Sequence, residues 1–523
     1  MKTAVNIKKG LFASTIHVTL LILLNVIVSF SSQLLIAYYF GTNTDRDAYF
    51  SAVVIPTYIT AVFTGSFVVV FLPELVSLLE KNLNEAVRFA STIIMLSAVL
   101  MSIIALLGVL YSDVIISITS YGFNSLQLKL SSQLLKILMP TVVFQSLTGL
   151  FASVYQAHHK FIAATIAPIF SPIVVVAILF FFVNDFGIET LAMGSLLGSF
   201  FPAVFLFTGL LRTKKIAFAF NIRNNSVRHV VITSAPLFIT GILYRLTGVF
   251  ERMIASNLST GSISFLGYAN QLATTLGTII TGGIATTIFP HMAQAWAANE
   301  KQQFYRYITR GITIVFLSCF PIIALVLALG EPIIQIVFER GAFSHSSTQA
   351  VALTFQILMG SFLFSSLGGI TIKALYVMSK TKTVAFIAVT EIIIYLLMGF
   401  WLSDEYSYKG LATALSISAG VNIILCIVIL FFFQKEKGLS VIGSNVWKII
   451  VAASIEFFMC RVVLIVLPNE TALFLKVAIS SLVGVVAYFY LTVFMLNVDE
   501  AHMFREKIVR LYHNLFGFAD TKS

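Results

Sequence analysis

The stretch FASTIIMLSAVLMSIIALLGVLY, residues 89–111, contains no charged side chain. As an α-helix it rises about 35 Å, enough to cross the roughly 30 Å hydrocarbon core of a bilayer. Comparable blocks recur along all 523 residues, which are 58% hydrophobic and only 11% charged, with a mean hydropathy of +0.96. A soluble chain would carry roughly a quarter charged residues. No strand-like alternation interrupts the blocks, and lipid admits only helices or closed barrels. The expected fold is therefore an all-α membrane protein.

Fourteen spans are predicted: 11–37, 48–76, 89–111, 132–155, 161–183, 188–211, 230–255, 262–290, 311–329, 350–375, 383–402, 410–433, 446–467 and 472–496. The first is too long for the apolar region of a signal peptide and lacks a small-residue cleavage site. With a cytoplasmic N-terminus, 24 of the 33 Lys and Arg fall in inside segments, seven in outside segments and two within span 7. That bias predicts a multi-pass protein with both termini cytoplasmic. It also accounts for the net charge of +11 without nucleic acid.

Thr64-Gly65-Ser66-Phe67, followed by Pro73, is echoed by Thr281-Gly282-Gly283-Ile284, followed by Pro290. Six spans separate the two, an offset that preserves membrane direction and predicts parallel repeats. The expected domains are an N-terminal six-helix lobe (1–217), a C-terminal six-helix lobe (218–437), two additional helices (438–498) and an amphipathic inner-surface tail (499–523). The two lobes are expected to enclose a central cavity. Pro56, Pro140, Pro168, Pro172, Pro202, Pro236 and Pro321 interrupt spans and suit lobes that bend.

Ionisable residues within spans mark sites or pathways by default. Span 7 contains Arg245, Glu251 and Arg252, with the arginines seven residues apart on nearly one helix face. Two guanidinium groups facing a cavity suit a diphosphate. In the competing reading Glu251 neutralises one arginine and the other reaches the headgroups. Glu391 in span 11 is a candidate for proton or sodium coupling, Glu456 in span 13 a lesser one, and His17 reads as an interior histidine. Cys319, Cys426 and Cys460 lie in apolar blocks without metal or redox spacing. His158-His159-Lys160 reads as a solvated inner loop. No catalytic, nucleotide or metal motif is present, so no enzyme activity and no cofactor is expected beyond a coupling cation or the membrane potential.

Phe40-Gly41, Asp47-Ala48-Tyr49-Phe50, Ile55-Pro56, Tyr268-Ala269-Asn270-Gln271-Leu272, Val337-Phe338-Glu339-Arg340-Gly341-Ala342-Phe343 and Ala374-Leu375-Tyr376 through Lys382-Thr383-Val384 follow one another in that order along the chain. In order and spacing the chain resembles the MurJ/MviN lipid II flippases of the multidrug/oligosaccharidyl-lipid/polysaccharide exporter superfamily. The resemblance implies a transporter of the bacterial inner membrane that moves a polyprenyl-diphosphate-linked saccharide outward by alternating access. Its partners would be that substrate, membrane lipids and envelope-biosynthesis proteins. It also implies substrate-facing roles for Asp47, Asn270 and Gln271. The family's cavity arginines fall here on Val26, Ser32, about Thr60 and Gln271, with Arg245 and Arg252 as relocated positive charge. Other cargoes stay open at this point: an exopolysaccharide or capsule unit, or a drug or cation exchanged by an antiporter of the same superfamily. A membrane glycosyltransferase would need surface carboxylates or histidines in a long outer loop, and a non-transporting envelope scaffold would need no site.

Overall fold

The structure is a computed structural model, and it describes residues 2–217, 221, 224–432, 440–468, 470–498 and 500–501. Fourteen long helices follow the expected spans: α1 (Lys2–Phe40), α2 (Thr44–Lys81), α3 (Leu83–Leu110), α4 (Ser125–Ala157), α5 (Phe161–Phe186), α6 (Glu189–Arg212) and α7 (Asn225–Ala255). After them come α8 (Ser262–Ala297), α9 (Lys301–Phe338), α10 (His345–Val377), α11 (Thr381–Tyr406), α12 (Tyr408–Phe432), α13 (Ser440–Val466) and α14 (Leu473–Met495). Among the described residues, thirteen are long and apolar enough to cross a membrane by length and composition. The eighth expected span falls on α8, 36 residues long. A short helix, Ser112–Thr119, was not expected. The protein is an all-α, multi-pass membrane protein.

Asparagine starts several of these helices. Asn43, Asn82, Asn124 and Asn224 each accept a backbone N–H of the first turn, at Arg46, Asn84 and Glu85, Gln127, and Ser226 respectively. A short side-chain oxygen satisfies donors that have no partner inside the helix. Between the ends, large apolar side chains point outward, including Val99, Ile103 and Leu110 on α3 and Phe180 and Phe181 on α5. Such a surface suits a lipid solvent, where a water-soluble protein would bury it.

The chain forms two compact units, Met1–Ser264 with Arg340–Ser344, and Phe265–Glu339 with His345–Ser523. Packing therefore groups α7 with α2 in the first unit, whereas repeat counting placed the boundary at 217. The side chains of Thr281–Gly283, and of His17, lie outside the described residues, as does the tail from Asp499 apart from Glu500 and Ala501. The first member of the echo, Thr64–Val68, is a π-helical turn inside α2, a local widening often found at functional sites.

Two of the quoted motifs meet in the first unit. Ala342 N–H donates to the Tyr38 carbonyl at 2.8 Å. Gly41 and Gly341 flank that bond with φ of +52° and +58°. A Cβ on Gly41 would stand 2.2 Å from Ala342 O, and one on Gly341 would stand 2.4 Å from Tyr38 O. Only glycine fits either position, by conformation and by space.

Prolines divide by role. Pro140 separates the two halves of α4 and Pro168 sits in a 3-10 turn, while Pro56, Pro202, Pro236 and Pro321 lie inside helices. Pro321 has no N–H for the carbonyl of Leu317, four residues earlier. In the second unit the buried hydroxyl of Tyr488 on α14 donates to that carbonyl at 3.0 Å. The bond ties α14 to α9 within a core that also takes Ile449, Ala452 and Ala453 of α13.

Candidate functional site

Four charged side chains are buried where α2, the end of α7 and the start of α8 meet in the first unit. Arg46 and Asp47 are each 2% exposed, Glu251 4% and Arg252 7%. The α7–α8 turn ends at Gly261, with φ +90°, so that α8 begins with unsatisfied N–H groups. Asp47 supplies their acceptor. Its Oδ2 accepts the Gly261 N–H at 2.6 Å, and its Oδ1 accepts the Ser264 N–H at 2.8 Å and the Ser264 hydroxyl at 2.6 Å. A carboxylate at a helix N-terminus also meets the positive end of the helix dipole.

Arg252 is equally engaged. Its Nη1 donates to the Ile263 carbonyl at 3.1 Å and lies 3.6 Å from Glu251 Oε1. The Phe50 ring has the Arg46 guanidinium 4.0 Å from its centroid and that of Arg252 at 5.7 Å. Two positive and two negative charges thus make a neutral buried group. The expected open pair of Arg245 and Arg252 is corrected accordingly: Arg252 belongs to this junction with Glu251, because α2 and the start of α8 cover it.

Arg245 is the exposed member of the pair. It lies two turns earlier on α7, about 10 Å along the axis. Its guanidinium stands 5.7 Å from the Tyr58 ring centroid. Tyr58 is seated by Gly248: a Cβ there would meet the Tyr58 hydroxyl oxygen at 1.8 Å. Gly248→Ala is expected to push the ring aside and remove a cation–π contact of about 0.5–1 kcal/mol from Arg245. For the transporter that the sequence leads one to expect, the predicted result is a several-fold loss of transport with membrane level unchanged, checked by transport and immunoblot. Wild-type transport in Gly248→Ala would show that Tyr58 does not position Arg245.

Asn270 and Gln271 lie half-buried on α8 in the second unit. Thr274, Thr275 and Thr278 continue from them as exposed positions, with hydroxyls donating to the carbonyls of Asn270, Gln271 and Thr274. The Asn270, Thr274, Thr278 spacing of four was available in the sequence and marks a polar face. On a membrane helix such a face suits water or a polar solute. Elsewhere in the second unit, Asn422 Nδ2 on α12 donates to Glu391 Oε2 on α11 at 2.5 Å, and the Cys426 thiol donates to Asn422 Oδ1 at 3.6 Å. Glu391 is thus the end of a hydrogen-bonded chain whose middle, Asn422, carries no charge that would mark it in the sequence.

The loop at His158, between α4 and α5, is tied to the end of α4. Its Nδ1 lies 2.9 Å from the Val154 carbonyl at the end of α4. Burial pushes the imidazole below its ordinary value, with Lys215 and Lys160 adding to the effect.

Comparison with known proteins bears on the chain as a whole. The family model described as "Lipid II flippase MurJ" matches residues 36–492. A probable lipid II flippase MurJ of Buchnera aphidicola subsp. Schizaphis graminum is 24% identical over 518 residues, covering 95% of this chain and all of that protein. Another, of Borreliella burgdorferi, is 24% identical over 450 residues, covering 85% of this chain and 87% of the relative. Among solved structures, a lipid II flippase MurJ in an inward closed conformation matches with a TM-score of 0.77 at 21% identity, covering 92% of this chain and 98% of that one. An inward-facing multidrug resistance MATE family transporter matches with a TM-score of 0.68 at 12% identity, covering 80% of this chain and 95% of that one.

Proposed function

As this chain belongs to the lipid II flippase MurJ family, we propose that it carries lipid II from the inner to the outer leaflet of the bacterial inner membrane by alternating access. The family match over residues 36–492 carries the reading. The physical task is clear: a charged, glycosylated headgroup cannot cross hydrocarbon unaided, while its lipid tail stays in the bilayer. No bond is made or broken, so the protein's part is to hold charge and exclude lipid. Arg245 is the group assigned to the diphosphate, since its guanidinium is exposed while that of Arg252 is engaged. In the second unit, the polar face from Asn270 to Thr278 offers hydroxyl and amide groups of the kind that exchange hydrogen bonds readily with sugars. Both termini are assigned to the cytoplasm, on the lysine and arginine distribution.

The test is transfer of a headgroup-labelled lipid II across proteoliposomes, read with a membrane-impermeant quencher. Faster transfer than in protein-free vesicles supports the reading, and equal rates would reject it. Glu391, with Asn422 and Cys426, is assigned to coupling with a proton or sodium ion. Glu391→Gln is expected to leave transfer insensitive to an imposed ion gradient, measured in the same vesicles. Unchanged sensitivity would return Glu391 to a packing role.

A further inference from the structure

We propose that Glu456, in the C-terminal helix pair, is an intramembrane proton-binding site, independent of the lipid-transport reading. Glu456 is 0% exposed, and neither carboxyl oxygen has a hydrogen-bond partner among the described residues. It lies in line with Ala452 and Cys460 on the buried face of α13, at intervals of four. Against that face α14 presents its own buried residues Ser480, Gly484 and Tyr488, again at intervals of four. Gly484 makes the approach this close: a Cβ there would stand 2.3 Å from Cys460 Sγ and 3.2 Å from Glu456 Cγ.

Two of the neighbouring donors are already used. The Cys460 thiol donates to the Ser480 carbonyl at 3.3 Å, and the Tyr488 hydroxyl to the Leu317 carbonyl that Pro321 leaves open. The titratable groups nearby are Cys460 on the same helix and Tyr488 on α14, with Cys319 of α9 on the far side of Tyr488. None of these supplies a positive charge, and no ion pair to Glu456 forms among the described residues. An ionised carboxylate in that setting would be left without compensation for its lost hydration. A hard metal cation would need about six oxygen ligands. Besides the carboxyl itself, the one buried hydroxyl on these two helix faces without a partner is that of Ser480. A proton needs no such shell. The site therefore holds its proton while α9, α13 and α14 are packed together.

The experiment is infrared difference spectroscopy of the full chain in liposomes, wild type against Glu456→Gln, at about pH 7, where an unperturbed glutamate is ionised. The expected result is a protonated-carboxyl C=O band in wild type that moves to lower frequency in D2O and is missing in the variant. Carboxylate bands in its place, an unchanged carboxyl band in Glu456→Gln, or loss of the band on adding sodium to wild type would overturn the proposal. Should Glu456→Gln fail to insert, wild type treated with dicyclohexylcarbodiimide decides, because that apolar reagent modifies the protonated acid. An adduct located at Glu456 by mass spectrometry supports the site. An unmodified Glu456 after other membrane carboxyls have reacted rejects it.

Discussion

Arg245→Ala is expected to lower lipid II transfer in proteoliposomes by roughly 10- to 100-fold, the equivalent of losing one charge-assisted contact of about 1.5–3 kcal/mol. Insertion and thermal stability should not change. The Arg245 side chain is exposed and lies against the Tyr58 ring. Arg245→Lys should keep part of the activity, because an ammonium supplies charge without the planar fork that pairs with phosphate oxygens. Arg245→Glu should be the most impaired, since it places a negative charge opposite a diphosphate. Full transfer by Arg245→Ala would remove this residue from the substrate path. The same variant failing to reach the membrane would instead show that Arg245 has a structural duty.

Asp47→Ala should act through stability. It removes the acceptor of two backbone N–H groups and one hydroxyl at the start of α8. It also leaves buried Arg46 and Arg252 with Glu251 as the remaining negative charge of the group. Breaking a buried charge network on one side typically costs about 3–5 kcal/mol. The purified variant should melt well below wild type in detergent and accumulate poorly in membranes. Asp47→Asn, which keeps one acceptor oxygen, should fall between the two. A wild-type melting temperature for Asp47→Ala would mean that the α2–α8 junction does not depend on this carboxylate. Transport should fall in step with folded protein and no further, which separates Asp47 from Arg245.

The helices were legible because the bilayer imposes one rule on every span, a run of apolar residues of fixed length. Hydropathy could not show where polar ends prolong them: α9 runs to Phe338, past the expected 329, through Glu331 and Pro332. Nor could it find the short helix Ser112–Thr119. Asp47 was singled out from its motif, but its partners lie 214 and 217 residues away, and no local pattern encodes that pairing. Helical spacing put Arg245 and Arg252 on nearly one face. Whether either was covered depended on Phe50 of α2 and Ile263 of α8, which belong to other segments. The proline rule predicts that the Leu317 carbonyl needs a donor, yet Tyr488, 171 residues on, could be named only from the fold. Glu456 ranked below Glu391 in the sequence because it lies in a peripheral span. Burial without a partner is a property of the packed helices, and that is what raises it.

The most direct test of the central claim is complementation. This chain would be expressed in a bacterium depleted of its own lipid II flippase, with membrane levels followed by immunoblot. Rescue of growth is the predicted result, with Arg245→Ala failing to rescue at the same level. Failure of the wild-type chain at normal membrane levels would contradict lipid II as its cargo.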